Sequence, residues 1–372
     1  MKIKSLKIIV IGFLFLGCLS KTRNQQLSFP EWIFMPFPEL NFKQISSSED
    51  RKRLGLSDSE TFSLKDIDAD VLIVEYLSVY CYSCQLQTPI FNELYAAIQQ
   101  DTNLKSKVKM IGIGAGNNQR EVEKYRKEKN IPYPILPDPK FEAYDAIGKA
   151  GGTPFTILIK KTRKGDRLVL NYYLGLIRDY EDLLNEVKSA LKADLTAIQF
   201  NEGEYFTVDY RKKLKPELSE EQITAKVKEI MRTLSDEVQN VERALLPGDD
   251  MVYIGKLSST EREKQLIATV VRRDSVCDVC GVLHFIYVFN DKGEILNFTP
   301  ISVYKHGNKV WDEEDTKKME SRILGRSIFE EFEFNPEVDA VSTATISSKL
   351  IFDSLDRAKR NLKELKKKRD VN

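Results

Sequence analysis

The 372-residue sequence predicts an α/β domain followed by an α+β domain. Two patterns carry this. Between residues 70 and 193, apolar runs of strand length alternate with helical stretches, the order of a layered α/β unit. From about 196 the order changes to a helix, then four strand-length runs in succession, then two helices. The balance of 42% hydrophobic and 30% charged residues, with a net charge of +1, is that of a globular chain. It excludes a largely disordered protein and leaves no basic excess for a nucleic-acid partner. The one long apolar run lies at the extreme N-terminus, which excludes a polytopic membrane domain.

That run opens the chain. Lys2, Lys4 and Lys7 precede Ile8 to Gly17, which is too short to span a bilayer and the right length for the core of an export signal. It ends Phe15-Leu16-Gly17-Cys18, which resembles a bacterial lipobox with Phe15 in place of the usual aliphatic residue. The resemblance implies a lipoprotein-type signal over 1–18, lipidation of Cys18, and attachment to a membrane of the cell envelope through that lipid anchor. The plainer reading is a secretory signal in which Cys18 is incidental. Residues 19–49 read as a tether and lead-in, the first part of them polar.

Residues 50–195 follow. Asp70 to Ser78 is a β-branched, apolar strand, and it runs into Tyr80-Cys81-Tyr82-Ser83-Cys84 and a helix from Gln85 to Gln100. Val108 to Gly112 is a second strand and Gln119 to Asn130 a polar-rich helix. Pro154 to Lys160 and Arg167 to Gly175 are strands joined by the Lys164-Gly165-Asp166 turn. Asp179 is a candidate N-cap for a closing helix to Ala193. A CxxC at the start of a helix is suited to redox work. The helix N-terminus stabilises thiolate on the first Cys, and the second lies one turn on, within disulfide reach. Cys81 is expected at an exposed helix start rather than in a core. Glu75, six residues earlier, faces inward, where burial raises a carboxyl toward neutral pH and suits it to general-base work.

The β-α-β-α-β-β-α order, the CxxC, Glu75, Pro89 within the helix and Thr153-Pro154 opening a strand together resemble thioredoxin, and most closely the TlpA-like extracytoplasmic redoxins. The resemblance implies a thioredoxin fold with Cys81 and Cys84 as the redox pair and Glu75 as proton acceptor for the second Cys. It also implies a cis proline at Pro154, presented by Thr153 and facing the disulfide. The dipeptide Tyr82-Ser83 departs from the family's Pro-Pro, and this dipeptide tunes the reduction potential.

Residues 196–249 read as a helical connector, with the capping box Ser219-Glu220-Glu221-Gln222 opening an amphipathic helix to about Val238. The strands Met251 to Leu257, Leu266 to Val271, Val282 to Phe289 and Ile295 to Val303 come next, the last two joined by Asn290-Asp291-Lys292-Gly293. Glu313 to Leu324 is helical and ended by Gly325. Asp339-Ala340-Val341-Ser342-Thr343-Ala344-Thr345 then precedes a long helix from Ser347. This segment resembles the flavinylation motif of the FMN-binding domains in RnfG- and NqrC-like electron-transfer subunits. The resemblance covers 250–358 and implies a mixed FMN-binding domain. Within it FMN is joined to Thr345 through a phosphoester by a separate flavin transferase, with Asp339, Ser342 and Ala344 as the other motif positions. Thr343 stands where the family has Gly, a strained choice if that position needs positive φ. A helix N-terminus would suit the FMN phosphate. Residues 359–372 form a basic helix end.

Cys277 and Cys280 make a second CxxC. Gly281 in place of His argues against a c-type haem, and no further Cys completes a zinc site. A disulfide remains, either structural or redox-active toward the flavin or Cys81. His284, in the following strand, reads as a packing residue. The whole chain reads as an extracytoplasmic redox protein that combines thiol-disulfide exchange with a covalent FMN, its partner an exported thiol, disulfide or electron-carrier protein. Two alternatives stand beside it: a TlpA-like oxidoreductase whose C-terminal domain only docks a partner, and a non-enzymatic lipoprotein scaffold.

Overall fold

The computed structural model describes residues 33–370 except 44, 149–151, 197, 201–202, 209–216, 246–250, 259–264, 274–275, 277–281 and 306–308. The expectations for 1–18, for Cys18, for most of the tether and for Cys277 and Cys280 lie outside the described residues. The elements are β1 (Met35–Pro36), β2 (Asn41–Lys43), α1 (Ser48–Leu54), β3 (Thr61–Ser63), β4 (Val71–Leu77), α2 (Tyr82–Gln100), α3 (Thr102–Lys107), β5 (Val108–Ala115), α4 (Gln119–Glu128), β6 (Ile135–Asp138), α5 (Glu142–Ala146), β7 (Phe155–Lys161), β8 (Arg167–Leu174) and α6 (Tyr180–Lys192). They continue with α7 (Glu220–Leu234), β9 (Val238–Leu245), β10 (Met251–Leu257), β11 (Gln265–Arg273), β12 (Leu283–Asn290), β13 (Ile295–Ser302), β14 (Tyr304–Lys305), β15 (Lys309–Val310), α8 (Glu313–Ile323) and α9 (Thr345–Asp370).

The first sheet has the order β1-β8-β7-β4-β5-β6. β4 is parallel to β5, β5 is parallel to β6, and β7 and β8 run antiparallel. Every residue of β4 is buried, as expected of a central strand covered on both faces. The period of two splits it cleanly. Val71, Ile73 and Leu77 join Phe91, Leu94 and Ile98 of α2 and Leu183 and Val187 of α6 in one cluster, whereas Leu72, Val74 and Tyr76 face the opposite side. The thioredoxin-like arrangement of these elements holds.

The second sheet is an antiparallel meander, β13-β12-β11-β10-β9. In β12, Ile286 and Val288 meet Ile223, Val227 and Met231 of α7, while Phe285, Tyr287 and Phe289 face the side that holds α8 and α9. The segment 196–249 is therefore not a helical connector alone. α7 covers one face of this sheet, and β9 is its edge strand, paired with β10.

Both halves lie in one compact unit, Trp32–Asn372. A single apolar cluster includes Tyr76, Phe155 and Ile157 of the first sheet together with Val271, Phe285 and Tyr287 of the second. Phe206 N–H donates to Pro36 O at 2.7 Å and Val208 N–H to Ile147 O at 2.8 Å, so the chain leaving the first sheet is stitched back onto it. Arg273, 5% exposed, pairs with Asp353 of α9, lies 3.7 Å from Asp145 of α5, and sits 5.1 Å over the Phe141 ring.

Helix starts follow their caps. Asp179 accepts from Glu181 N, and Ser219 and Gln222 close the expected box. Two starts differ from expectation: α2 begins at Tyr82, so both Tyr82 and Ser83 are helical, and α9 begins at Thr345 rather than Ser347. Among the described residues no helix is long and apolar enough to cross a membrane.

Candidate functional site

The expected thiol site is assembled at the end of β4. Ser78 O accepts from Cys81 N–H at 2.9 Å, and this turn places Cys81 as the N-cap of α2. Within this turn, Asn117 Oδ1 accepts from Val79 N–H at 3.0 Å. Tyr80 OH donates to Glu121 at 2.6 Å, tying the turn to the capping box of α4. Cys81 and Cys84 are both fully buried.

This burial corrects the expectation of an exposed Cys81. The cause is the loop before β7. The Thr153–Pro154 peptide is cis, Thr153 is itself 0% exposed, and Cys81 Sγ donates to Thr153 O at 3.1 Å. The loop is held in turn: Gly152 N–H donates to Tyr144 OH at 2.9 Å, and Gly175 N–H donates to Pro154 O at 2.9 Å. Thr153 N–H and Oγ1 both donate to Val276 O, at 2.7 and 2.5 Å. The cover over Cys81 is thus fastened by a residue of the C-terminal half.

Beneath the pair lies Glu75, 2% exposed. Gln87 Nε2 and Tyr133 OH each donate to its carboxylate at 2.8 Å. Burial pushes Glu75 up to about 7, against these two stabilising hydrogen bonds. Burial is also the first cause that lifts the Cys84 thiol well above its usual range; the Cys81 sulfur adds to it, and the Glu75 charge contributes. Thr88 Oγ1 donates to Cys84 O at 2.9 Å. Gln87 and Tyr133 escape sequence reasoning. Gln87 had a faint signal, a polar residue one turn after Cys84 on the inner face of the helix, while Tyr133 had none. Beside the turn, a cleft of about 640 Å³ is lined by Tyr80, Gln85, Glu121, Tyr125 and Phe334.

The residues of the flavin-type motif form a second, separate turn. Asp339, 6% exposed, accepts from Asn335 N–H at 2.8 Å and pairs with Arg322 at 2.9 Å, so its carboxylate holds the loop. Ser342 is exposed and Ala344 is buried in the core. Thr343 has φ +58°, the left-handed region. Thr345 is half-buried at the first position of α9. Ser347 and Ser348 are committed elsewhere, donating to Tyr304 O at 2.7 Å and accepting from Val341 N–H at 3.0 Å. His284 is 5% exposed within β12, and burial lowers its pKa.

Residues 44–164 match the AhpC/TSA family. A second match, to Arterivirus nonstructural protein 7 alpha over residues 181–284, runs from inside α6 into β12 and follows no single layer. The chain is 28% identical over 106 residues to the thiol-disulfide oxidoreductase ResA of Geobacillus thermodenitrificans, covering 28% of this chain and 58% of that protein. It is 22% identical over 132 residues to ResA of Oceanobacillus iheyensis, covering 36% and 62%. The chain thus spans about six-tenths of the length of these relatives. Among solved structures, StoA from Bacillus subtilis is similar over 41% of this chain and 99% of its own, at 20% identity and a TM-score of 0.30. A thiol:disulfide interchange protein from Chlorobium tepidum is similar over 43% and 97%, at 20% identity and 0.32. The first part of the chain is thus similar to the AhpC/TSA family over residues 44–164, and its sheet has a thioredoxin-like order.

Proposed function

We propose that the chain is an exported thiol-disulfide oxidoreductase working through Cys81 and Cys84. The observation that carries this is the stack of Thr153 O, Cys81 and Cys84 over a buried carboxyl near pH 7. The ResA relatives carry the same activity in their names and support the reading. In the exchange, Cys81 thiolate attacks a partner's disulfide, forms a mixed disulfide and releases one partner thiolate. Glu75 takes the proton of Cys84, whose thiolate attacks Cys81 Sγ and releases the second partner sulfur. The partner gains two electrons, and Cys81–Cys84 becomes a disulfide; the reverse sequence oxidises a partner. Cys84→Ser chain incubated with glutathione disulfide should accumulate a stable glutathione adduct on Cys81, read by peptide mass mapping. Wild-type chain should pass through that adduct to the Cys81–Cys84 disulfide. An unmodified Cys81 in Cys84→Ser overturns the reading.

A second reading is favoured by one observation, the positive φ of Thr343 at the motif position where Gly is usual. We propose that Thr345 carries FMN through a phosphoester placed by a flavin transferase. The residues fit such a group: Thr345 is half-exposed, its hydroxyl has no hydrogen bond among the described residues, and it opens a long helix whose first N–H groups favour a phosphate. Ile346, the next residue, packs against the apolar cluster that holds Cys81 and Cys84. Bound there, the flavin would supply one- or two-electron chemistry, and the chain's part is to hold it through Thr345 and the Asp339–Arg322 turn. Chain exported beside a flavin transferase should gain the mass of one FMN less water on the Thr345 peptide, and Thr345→Ala should stay colourless. An unmodified wild-type Thr345 peptide overturns this reading. Attachment to a membrane through a lipid on Cys18 is part of the same proposal, and an acylated Cys18 peptide is its check.

A further inference from the structure

The carboxyl beneath the thiols is held from two sides. Gln87 lies one turn after Cys84 in α2 and is 0% exposed. Its amide bridges two groups: Nε2 donates to Glu75 Oε1 at 2.8 Å, and Oε1 accepts from Ile177 N–H at 2.8 Å. A backbone N–H can only donate, so the amide oxygen must face Ile177 and the amide nitrogen must face Glu75. Ile177 stands in the segment between β8 and α6. Gly175 N–H of the same segment donates to Pro154 O at 2.9 Å, and Ile177 packs against the apolar cluster that holds Cys81 and Cys84. The anchor of the Gln87 amide is therefore fastened to the Thr153–Pro154 loop that covers Cys81. Tyr133, 1% exposed, takes the other carboxyl oxygen, its OH donating to Glu75 Oε2 at 2.8 Å. Tyr133 is fixed in turn, because its neighbour Pro134 accepts from Gly112 N–H at 2.8 Å, and Gly112 is the β5 partner of Glu75.

We propose that Gln87 and Tyr133 are positioning residues for transfer of the Cys84 proton, each holding one oxygen of the Glu75 carboxyl, with Gln87 itself fixed by Ile177 N–H. The inference rests on the exchange chemistry proposed above and assigns the residues that orient its base. Two donors on two oxygens fix the plane of the carboxyl, so its remaining lone pairs have set directions and Cys84 meets the same acceptor in every turnover. Neither residue takes the proton. Both stabilise the carboxylate, whereas burial stabilises the neutral acid, so the donors keep available a base that burial alone would leave protonated. In the resolving step the Cys84 proton passes to Glu75 and the Cys81–Cys84 bond forms. The partner sulfur leaves Cys81 as thiolate, carrying the electron pair of the broken bond.

Full chain, reduced and mixed with a single equivalent of dithiodipyridine, tests this, because each released pyridinethione absorbs light. The first release reports attack by Cys81, and the second reports attack by Cys84 on the mixed disulfide. Gln87→Met keeps the length of the side chain and removes the donor. It should raise the pH midpoint of the second release by about one unit and slow that release about fivefold near pH 7. Tyr133→Phe removes a single hydroxyl and should move the midpoint in the same direction, so the test stands even if Gln87→Met fails to fold. In a Glu75→Gln background neither substitution should move the pH profile, because the group they orient is gone. A midpoint that stays at the wild-type value in a folded variant, with the rate lowered alike at every pH, marks a purely structural role. That result overturns the positioning and leaves the exchange chemistry standing. A wild-type chain that gives no first release overturns both.

Discussion

Glu75 concentrates the chemistry of the site in one titration. Its folded-state value of about 7 lies above the ordinary 4.5, so the fold favours the neutral acid. The associated stability is complete below pH 4.5 and is lost as pH rises through about 7. Glu75→Gln keeps partners for Gln87 and Tyr133 and removes this slope. In urea unfolding, the variant should gain on wild type from pH 4.5 upward, by about 3 kcal/mol once Glu75 is fully ionised. A wild type that gains stability over that range contradicts the assignment. The same substitution should slow resolution of the mixed disulfide by about 10²-fold and abolish its rise with pH near neutrality, measured by stopped-flow thiol release. Lys160 shows a buried cation used structurally. Its ammonium donates to Ala190, Leu191 and Ala193 carbonyls at 2.5, 3.1 and 2.7 Å, closing the C-terminus of α6, although burial lowers its pKa. Lys160→Met should cost about 2 kcal/mol in urea unfolding, with the Cys81 exchange rate unchanged.

Among the elements, the turn before α9 makes a sharp prediction. A β-branched Thr343 at φ +58° costs of order 1 kcal/mol, and its exposed side chain repays little. Thr343→Gly should raise stability by about 1 kcal/mol in thermal or urea unfolding, and a loss would show that the side chain matters to the turn. The possibility that this position needs positive φ was readable from the motif. Much of the element order was as legible. Val71–Leu77 is apolar but for Glu75 and Leu283–Asn290 but for His284 and Asn290, and Ser219 and Asp179 announce their helices. The misses have physical causes. β6 is four residues carrying Pro137 and following Pro134, a composition that argues against a strand. β9 is an edge strand, and its Gln239, Asn240, Glu242 and Arg243 hide the pattern a half-buried strand should show. The site was half legible. Cys81, Cys84, Glu75 and Thr153 lie together as the thioredoxin resemblance implies, and the Thr153–Pro154 peptide is cis, but the loop that covers Cys81 is fastened by Val276, a contact made only by the tertiary fold.

Across the whole molecule, one apolar cluster serves both sheets, so the halves should unfold together. Tryptophan fluorescence, with Trp311 in that cluster, and alkylation of Cys81 and Cys84 should give coincident urea transitions. Two separated transitions would show that the halves are independent. Arg273 is the polar counterpart of this cluster. Asp353→Ala leaves a buried guanidinium with Asp145 at 3.7 Å and should cost about 3 kcal/mol, whereas Arg273→Met with Asp353→Leu should cost much less. The shared core has a practical corollary for anyone wishing to dissect the chain. A gene truncated after Lys192 would encode a product stripped of Phe206 and Val208, and with them the greasy lining that greets Tyr172 and Ile147. Such a fragment is destined for inclusion bodies rather than for a miniature catalyst, so shuffling experiments should exchange the two sheets as a matched set.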